Sequence, residues 1–237
     1  MLMTMERTGV VSSKCRYIFW VILLTYGGSV SLGAKTFKIS APLESKQTPE
    51  IERLISEAYQ ELDINPQIVR MPAKRALAES SKNSWVDAEL VRVAEAEKIL
   101  PNFIRIPVPL MTLKVSSYSL KTNVEVNSWQ SLKGLNVVTL RGFIGITNQL
   151  KKYDINFHET STMQQAIQML KVKRMDTVIL PEILFSKLKP EKLFKEHEVY
   201  KQYITQFEVF HYIHKRHHEL VPKLTLEMQK NFTKAQD

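Results

Sequence analysis

The segment Ile104-Arg-Ile-Pro-Val-Pro-Leu110 limits the fold more than any other part of this 237-residue chain. Its two prolines remove backbone donors and fix φ, which bars it from a central, fully hydrogen-bonded strand. A strand–helix series lies on each side of it. Before it, Thr36–Ser40 alternates as a strand. Thr48-Pro-Glu then opens a helix with a hydroxyl at the N-cap, proline at N1 and a carboxylate near the positive helix end. Ile51, Leu54, Ile55, Ala58 and Leu62 keep helical spacing. Gln67–Met71 follows as a strand, Pro72 starts a second helix, and Val86–Val91 is a third strand.

After the proline segment, Val115–Leu120 is extended and Ser128–Gly134 reads as a short helix closed by glycine. The spacing then predicts strand Leu135–Leu140, a helix over 144–152, strand Ile155–Glu159, a helix over 162–173 and strand Thr177–Leu180. The chain crosses back between Val199 and Phe207 into strand Phe207–His214, and a terminal helix runs from Glu219 to Phe232. Strands alternating with helices form parallel sheets. Two such series joined by two extended crossings, with the proline segment 104–110 read as the crossover into the second lobe, predict an α/β fold of two lobes, each a mostly parallel sheet flanked by helices, with a central cleft. The lobes are expected at 35–113 plus 205–237 and at 114–204, a size that can bury a core in each.

The chain starts differently. Arg7, Lys14 and Arg16 precede the apolar run Tyr17–Tyr26, and Gly27–Ala34 is rich in small residues. A basic region, a short apolar region and a small-residue exit make up a secretory signal peptide. Residues 1–34 are read as that leader, cut after Gly33 or Ala34, with the mature protein in the periplasm. The apolar run is short of the ~20 residues that span a bilayer. Cys15 is the only cysteine and falls inside the leader, which excludes cysteine catalysis and thiolate metal sites from the mature chain. The formal charge is +9, and about +7 once the leader is removed. The excess is scattered rather than striped with aromatics, so nucleic acid is not an expected partner.

Charged residues gather where the first lobe's strands and helices end. Arg75 lies on the second helix, and Asp87, Glu89 and Arg92 lie on the third strand. Open α/β sheets bind ligands in a crevice at such ends. Asp87 and Glu89 share a strand face by period-2 geometry. Arg75 is read either as a carboxylate anchor or as the ion-pair partner of Asp87 or Glu89.

The motifs Pro72-x-x-Arg-Ala-Leu77, Asp87-Ala-Glu-Leu-x-Arg92 and Ser128-Trp-x-x-Leu-x-Gly134, in this order, resemble type II periplasmic solute-binding proteins of the polar amino-acid-binding, family 3 branch. Leu170-x-x-x-Arg-x-Asp176 before an apolar strand is similar to that family's Gly-Arg-x-Asp element, with Lys173 in place of glycine. The resemblance runs over residues 35–225. It implies hinge closure around a small polar or anionic solute, without enzymatic activity, cofactor or metal. It also implies a monomer that works with a membrane transporter or sensor. Arg141, Gly142 and Phe143, in the turn Leu140–Gly145, lie where the family offers backbone N–H groups to a ligand carboxylate. Tyr118 is expected on a cleft wall, and Glu182 beside the family's position for an acid facing the ligand ammonium. The chain departs from the pattern at Lys114-Val-Ser116, at Pro181 and at Phe143-Ile144. The ligand stays open, as does a lyase- or dehydratase-like enzyme on this fold, or a signalling partner whose cleft Phe143 and Ile144 fill.

His211, His214, His217 and His218 invite a metal reading. In a strand, 211 and 214 face opposite sides, and no carboxylate cluster accompanies them. A strand end leading into a helix cap is the simpler account. Trp85 and Trp129 are stacking candidates, with core packing the commoner role for a tryptophan beside a turn.

Overall fold

The computed structural model describes residues 36–82, 85–120, 124–189, 194 and 198–234. The leader expected over 1–34 lies outside the described residues. From residue 35 onward the chain is one compact unit.

The strands are β1 (Phe37–Pro42), β2 (Pro66–Met71), β3 (Ala88–Val93), β4 (Phe103–Arg105), β5 (Met111–Ser119), β6 (Val137–Leu140), β7 (Phe157–Thr160), β8 (Thr177–Pro181) and β9 (Tyr200–His214). The helices are α1 (Pro49–Gln60), α2 (Ala73–Ser81), α3 (Ile144–Lys152), α4 (Met163–Lys171), α5 (Glu182–Lys187) and α6 (Val221–Lys234). The strand order is β2-β1-β3-β9-β5-β8-β6-β7, with β4 also on β9. At one end β1 runs parallel to β2 and β3, and at the other β6 runs parallel to β7 and β8. Each parallel trio is therefore a lobe, and β5 and β9 run antiparallel to each other between them.

The crossing differs from the expectation in one respect. The proline segment lies within the first lobe, between β4 and β5, and the connection itself is the β5–β9 pair. Ile106 and Leu110 donate their N–H groups to His211 and Val209 of β9, which leaves Pro107 and Pro109 on the side that needs no donor. The return crossing and the last strand are likewise one strand, β9. A register shift between Val115 and Ser116 leaves Ile204 unopposed on β9, so the pair bends midway.

Each lobe has its own core. Ile39, Ile55, Ala58, Leu90, Ile213 and Met228 are fully buried in the first, where α1 and α6 cover the sheet. Trp129, Leu132, Val137 and Leu150 pack one side of the second, and Tyr118, Val138, Leu170 and Leu180 the other. The α4 start is a complete capping box: Thr162 Oγ1 accepts from Gln165 N–H, and Gln165 Oε1 accepts from Thr162 N–H. Ser128–Gly134 forms only a single tight turn at Gln130–Leu132, and Gly134 takes the positive φ of 82° that ends it.

Candidate functional site

The parallel strands of the first lobe point their C-terminal ends at the second lobe. Pro42 ends β1 and leads into a tight helical turn at Leu43–Gln47; Met71 leads into α2, and Val93 into a tight helical turn at Ala94–Lys98. The first of these turns packs on α5 and the second on α3. Between them, α2 meets the turn after β6. A Cβ at Gly142 would lie 2.5 Å from Lys74 N and 2.8 Å from the Ala73 carbonyl carbon. Gly142 has a φ of 88°, so the turn needs glycine both for its backbone and for this approach. The two lobes thus touch, backbone to backbone, across the cleft.

Two small cavities remain in it. One of about 100 Å³ is bounded by Val93, Arg92, Ile144, Ile146 and Phe207, and one of about 80 Å³ by Glu44, Ile51, Met111, Ile183 and Leu184. Pro42, Val91, Leu113, Phe143 and Val209 border both. Phe143 is the one aromatic side chain among these shared residues, and the walls are almost wholly apolar.

Two charged side chains break that surface. Arg92 donates from Nε to Glu89 Oε2 at 2.8 Å, and weakly from Nη2 to the Ala73 carbonyl at 3.4 Å. Glu89 is fully buried and also accepts from Ser80 Oγ. Strict alternation would put residues 89 and 92 on opposite faces. A bulge in β3 sets two residues against His211 and returns them to one face. The loosened Leu90 carbonyl takes the His211 Nδ1–H at 3.1 Å. Burial pushes the His211 pKa down to about 4, so its Nε2 is free to accept from Tyr59 Oη at 2.8 Å.

The second charge is Glu44. Its Oε2 is buried with no hydrogen-bond partner among the described residues. Burial raises its carboxyl above the ordinary glutamate value, against the pull of its own backbone N–H and of the Arg92 charge. No metal-holding group of histidines and carboxylates occurs among the described residues.

No family model and no curated protein matches the sequence. The structure does match solved proteins. The ligand-binding core of GluR0 in complex with L-glutamate aligns with a TM-score of 0.67 at 14% identity, over 84% of this chain and 93% of that one. The chain has the type II periplasmic-binding-protein fold. An amino acid transporter substrate-binding protein, AbpA from Streptococcus pneumoniae bound to L-arginine, aligns at 0.64 and 16% identity over 83% and 88%. A histidine kinase sensor domain with similarity to periplasmic binding proteins aligns at 0.67 and 11% identity over 85% and 92%. The solved neighbours are thus binding proteins, and one belongs to a sensor.

Within this fold the expected site residues scatter. Arg92, Gly142 and Phe143 come together in the cleft. Glu89 holds Arg92 from beneath rather than facing the cavity. Arg75 is 71% exposed in its side chain and pairs loosely with Glu79 at 3.8 Å, not with Asp87 or Glu89. Asp87 precedes β3, at the end of the sheet away from the cleft. There its Oδ2 accepts from Lys38 N–H at 2.9 Å and its Oδ1 from Arg216 and His217, at 2.9 Å and 2.8 Å. Burial would raise the Asp87 carboxyl, but these hydrogen bonds and the Arg216 charge hold it below the ordinary value.

Tyr118 is in the core rather than on a cleft wall, stacked on Phe185 with centroids 3.6 Å apart, because β5 buries that face under α5. Arg141 turns outward to Ser161 Oγ and the Glu159 carbonyl, in an outer groove bordered by His158, Gln168 and Arg174. Glu182 accepts from Ser116 Oγ at 2.6 Å and from Lys201 Nζ at 2.7 Å. Desolvation would raise its carboxyl, yet these bonds and the Lys201 and Lys114 charges keep it low. Trp129 is buried, and Trp85 is exposed under the Lys38 ammonium.

Sequence reasoning passed over Glu44. The only signal was its place in the β1 exit loop, two residues past the strand end, where this topology puts ligand contacts.

Proposed function

We propose that this protein binds a small molecule between its two lobes, outside the cytoplasm, for uptake or sensing, without catalysing a reaction on it. In this reading the lobes run over 35–113 with 205–237 and over 114–204, and residues 1–34 are a cleaved leader. The mid-strand bend of the β5–β9 pair is the hinge. The observation that carries the reading is the cleft: both lobes and the hinge pair border its cavities, and a charged pair, Glu89–Arg92, is built into its floor. Binding there draws the lobes together through contacts that neither lobe offers alone.

The expectation of an anionic ligand loses support. Two of the three arginines proposed to meet it, Arg75 and Arg141, lie outside the cavities, and Arg92 is already paired. Of the two candidates for an acid–base group, Glu182 is held ionised between Ser116 and Lys201 and Glu89 is taken up by Arg92 and Ser80, and that argues against catalysis.

The direct test is native mass spectrometry of protein from its source compartment, with thermal denaturation against amines, amino acids, organic acids, alcohols and sugars. A ligand that binds the native state alone raises the melting temperature in proportion to log concentration once it is above Kd. A co-purifying molecule or a saturable shift supports the reading. No shift across the panel, with no bound molecule, sinks it.

A second reading has an observation of its own. The Gly142 approach to Ala73–Lys74 and the position of Phe143 give a cleft that already closes on itself. A ligand-free signalling or assembly protein would look like this, and the same failed screen would favour it.

A further inference from the structure

Four buried side-chain polar atoms among the described residues have no hydrogen-bond partner: Ser40 Oγ, Glu44 Oε2, Arg70 Nε and His214 Nε2. Glu44 is the carboxylate among them, and it lines the interlobe cavity. A carboxylate oxygen out of water with no donor is costly, and native structures keep such a group when something else satisfies it. The charges around it decide what that is. Arg92 and Glu89 cancel each other at 2.8 Å, and on the second lobe Lys201 and Glu182 do so at 2.7 Å. That leaves Glu44 as the cavity's carboxylate without a direct partner: the Arg92 charge acts on it only from a distance and is already paired with Glu89, and the walls around it are apolar.

We propose that the cleft takes a small hydrophobic primary amine as its cation, with the ammonium on Glu44 Oε2 and an aliphatic body in the space bordered by Val91, Leu113, Phe143 and Val209. The inference rests on the interlobe binding reading and names its ligand class. The volumes fit. An apolar cavity of about 150 Å³ is enough to hold benzene. The two cavities here, of about 100 Å³ and 80 Å³, share five lining residues, Phe143 among them, so a ligand that displaces the Phe143 ring would draw on both. A branched C4 or C5 amine needs no more room. An anion fits poorly, because Glu44 repels it and no free guanidinium compensates. A neutral alcohol of the same shape fills the space but forgoes the charge-assisted bond.

The experiment uses three molecules of one shape: 3-methylbutylamine, 3-methylbutanol and 3-methylbutanoate, followed by thermal denaturation and calorimetry on the mature chain. The amine is expected to bind at least about tenfold more tightly than the alcohol, the span of one hydrogen bond to a charged group. The carboxylate is expected to be the weakest. Glu44→Gln should bring the amine down to the alcohol's affinity and leave the alcohol unchanged. Leu113→Phe, which fills the cavity from the hinge, should weaken amine and alcohol together. The carboxylate binding as tightly as the amine, or an amine affinity untouched by Glu44→Gln, overturns the proposal while leaving the interlobe binding reading intact. So does failure of all three molecules when some other solute in the broad screen binds. If nothing in either set binds, both fall.

Discussion

The two ends of the first lobe's sheet carry carboxylates in opposite circumstances: Asp87 just before β3 and Glu44 just after β1. At the outer end, Asp87 has donors on both oxygens: a backbone N–H, a guanidinium and an imidazole. At the cleft end, Glu44 is desolvated and has one oxygen with no donor among the described residues. The first network ties the tight turn after β9 to the start of β1 and β3, and nothing is left for a ligand to do. The second is incomplete as it stands. A polar group that locks a fold is satisfied by the chain itself, whereas one that recognises something is left short.

The largest effect should come from breaking the closed network. Asp87→Ala leaves Arg216 and His217 against a desolvated site and should cost about 3 kcal/mol, as removal of one member of a buried pair does. Urea denaturation measures it. The sign with pH follows from the depressed carboxyl. Its stabilising contribution is present above the unfolded aspartate value and is lost as pH falls through the folded one. The deficit of the variant should therefore shrink in acid. A constant deficit from neutral pH to strong acid would mean that packing, not charge, is what Asp87 supplies.

Next comes Gly142→Ala. The variant places a Cβ on the backbone of α2 and asks alanine for a φ of 88°. We expect a loss of about 2 kcal/mol and, since the clash is between lobes, a larger radius of gyration in small-angle scattering. Lost stability with no expansion would show that the strain stays within the turn.

These two sites also show what the sequence discloses. The strand–helix alternation, the two-lobed class and most elements could be read from periodicity, because each lobe's apolar spacing reports which face is buried. The bulge in β3 could not. It depends on which residue of β9 faces Leu90, a tertiary fact, and it reverses the face on which Arg92 emerges. Tyr118 was misjudged for a related reason. The short helix α5, which covers it, has no periodic signal over its six residues. Polar residues in the cleft are recognised by what they lack, and a missing partner leaves no trace in spacing.

Glu44→Gln should move stability the other way. The raised carboxyl means the folded state holds its proton more tightly than the unfolded chain does. The cost appears as pH rises through the unfolded glutamate value of about 4.3 and is complete above the folded one. Removing the charge should then stabilise the unliganded protein by about 1 kcal/mol at neutral pH, after discounting for partial exposure. In acid below that range the gain should vanish. A destabilised variant at pH 7 would mean that Glu44 has a partner in solution, and the contrast with Asp87 would lose its basis.

The smallest effect separates recognition from mere charge at the cleft mouth. Arg75 carries the sequence signature of a ligand anchor, yet its side chain is mostly in solvent and its pair with Glu79 spans 3.8 Å. Exposed pairs of this kind contribute about 0.5 kcal/mol or less. Arg75→Ala should shift the denaturation midpoint by no more than that and leave every ligand affinity within twofold. The comparison with Arg92 makes the test informative, since both arginines flank the same helix and strand. Arg92 is held by Glu89 beneath the cavity, and its replacement should disturb binding and stability together. If Arg75→Ala instead weakened binding tenfold with stability intact, the helix would have to present Arg75 to the ligand in a more open arrangement of the lobes. The Glu44 end would then be only half of the site.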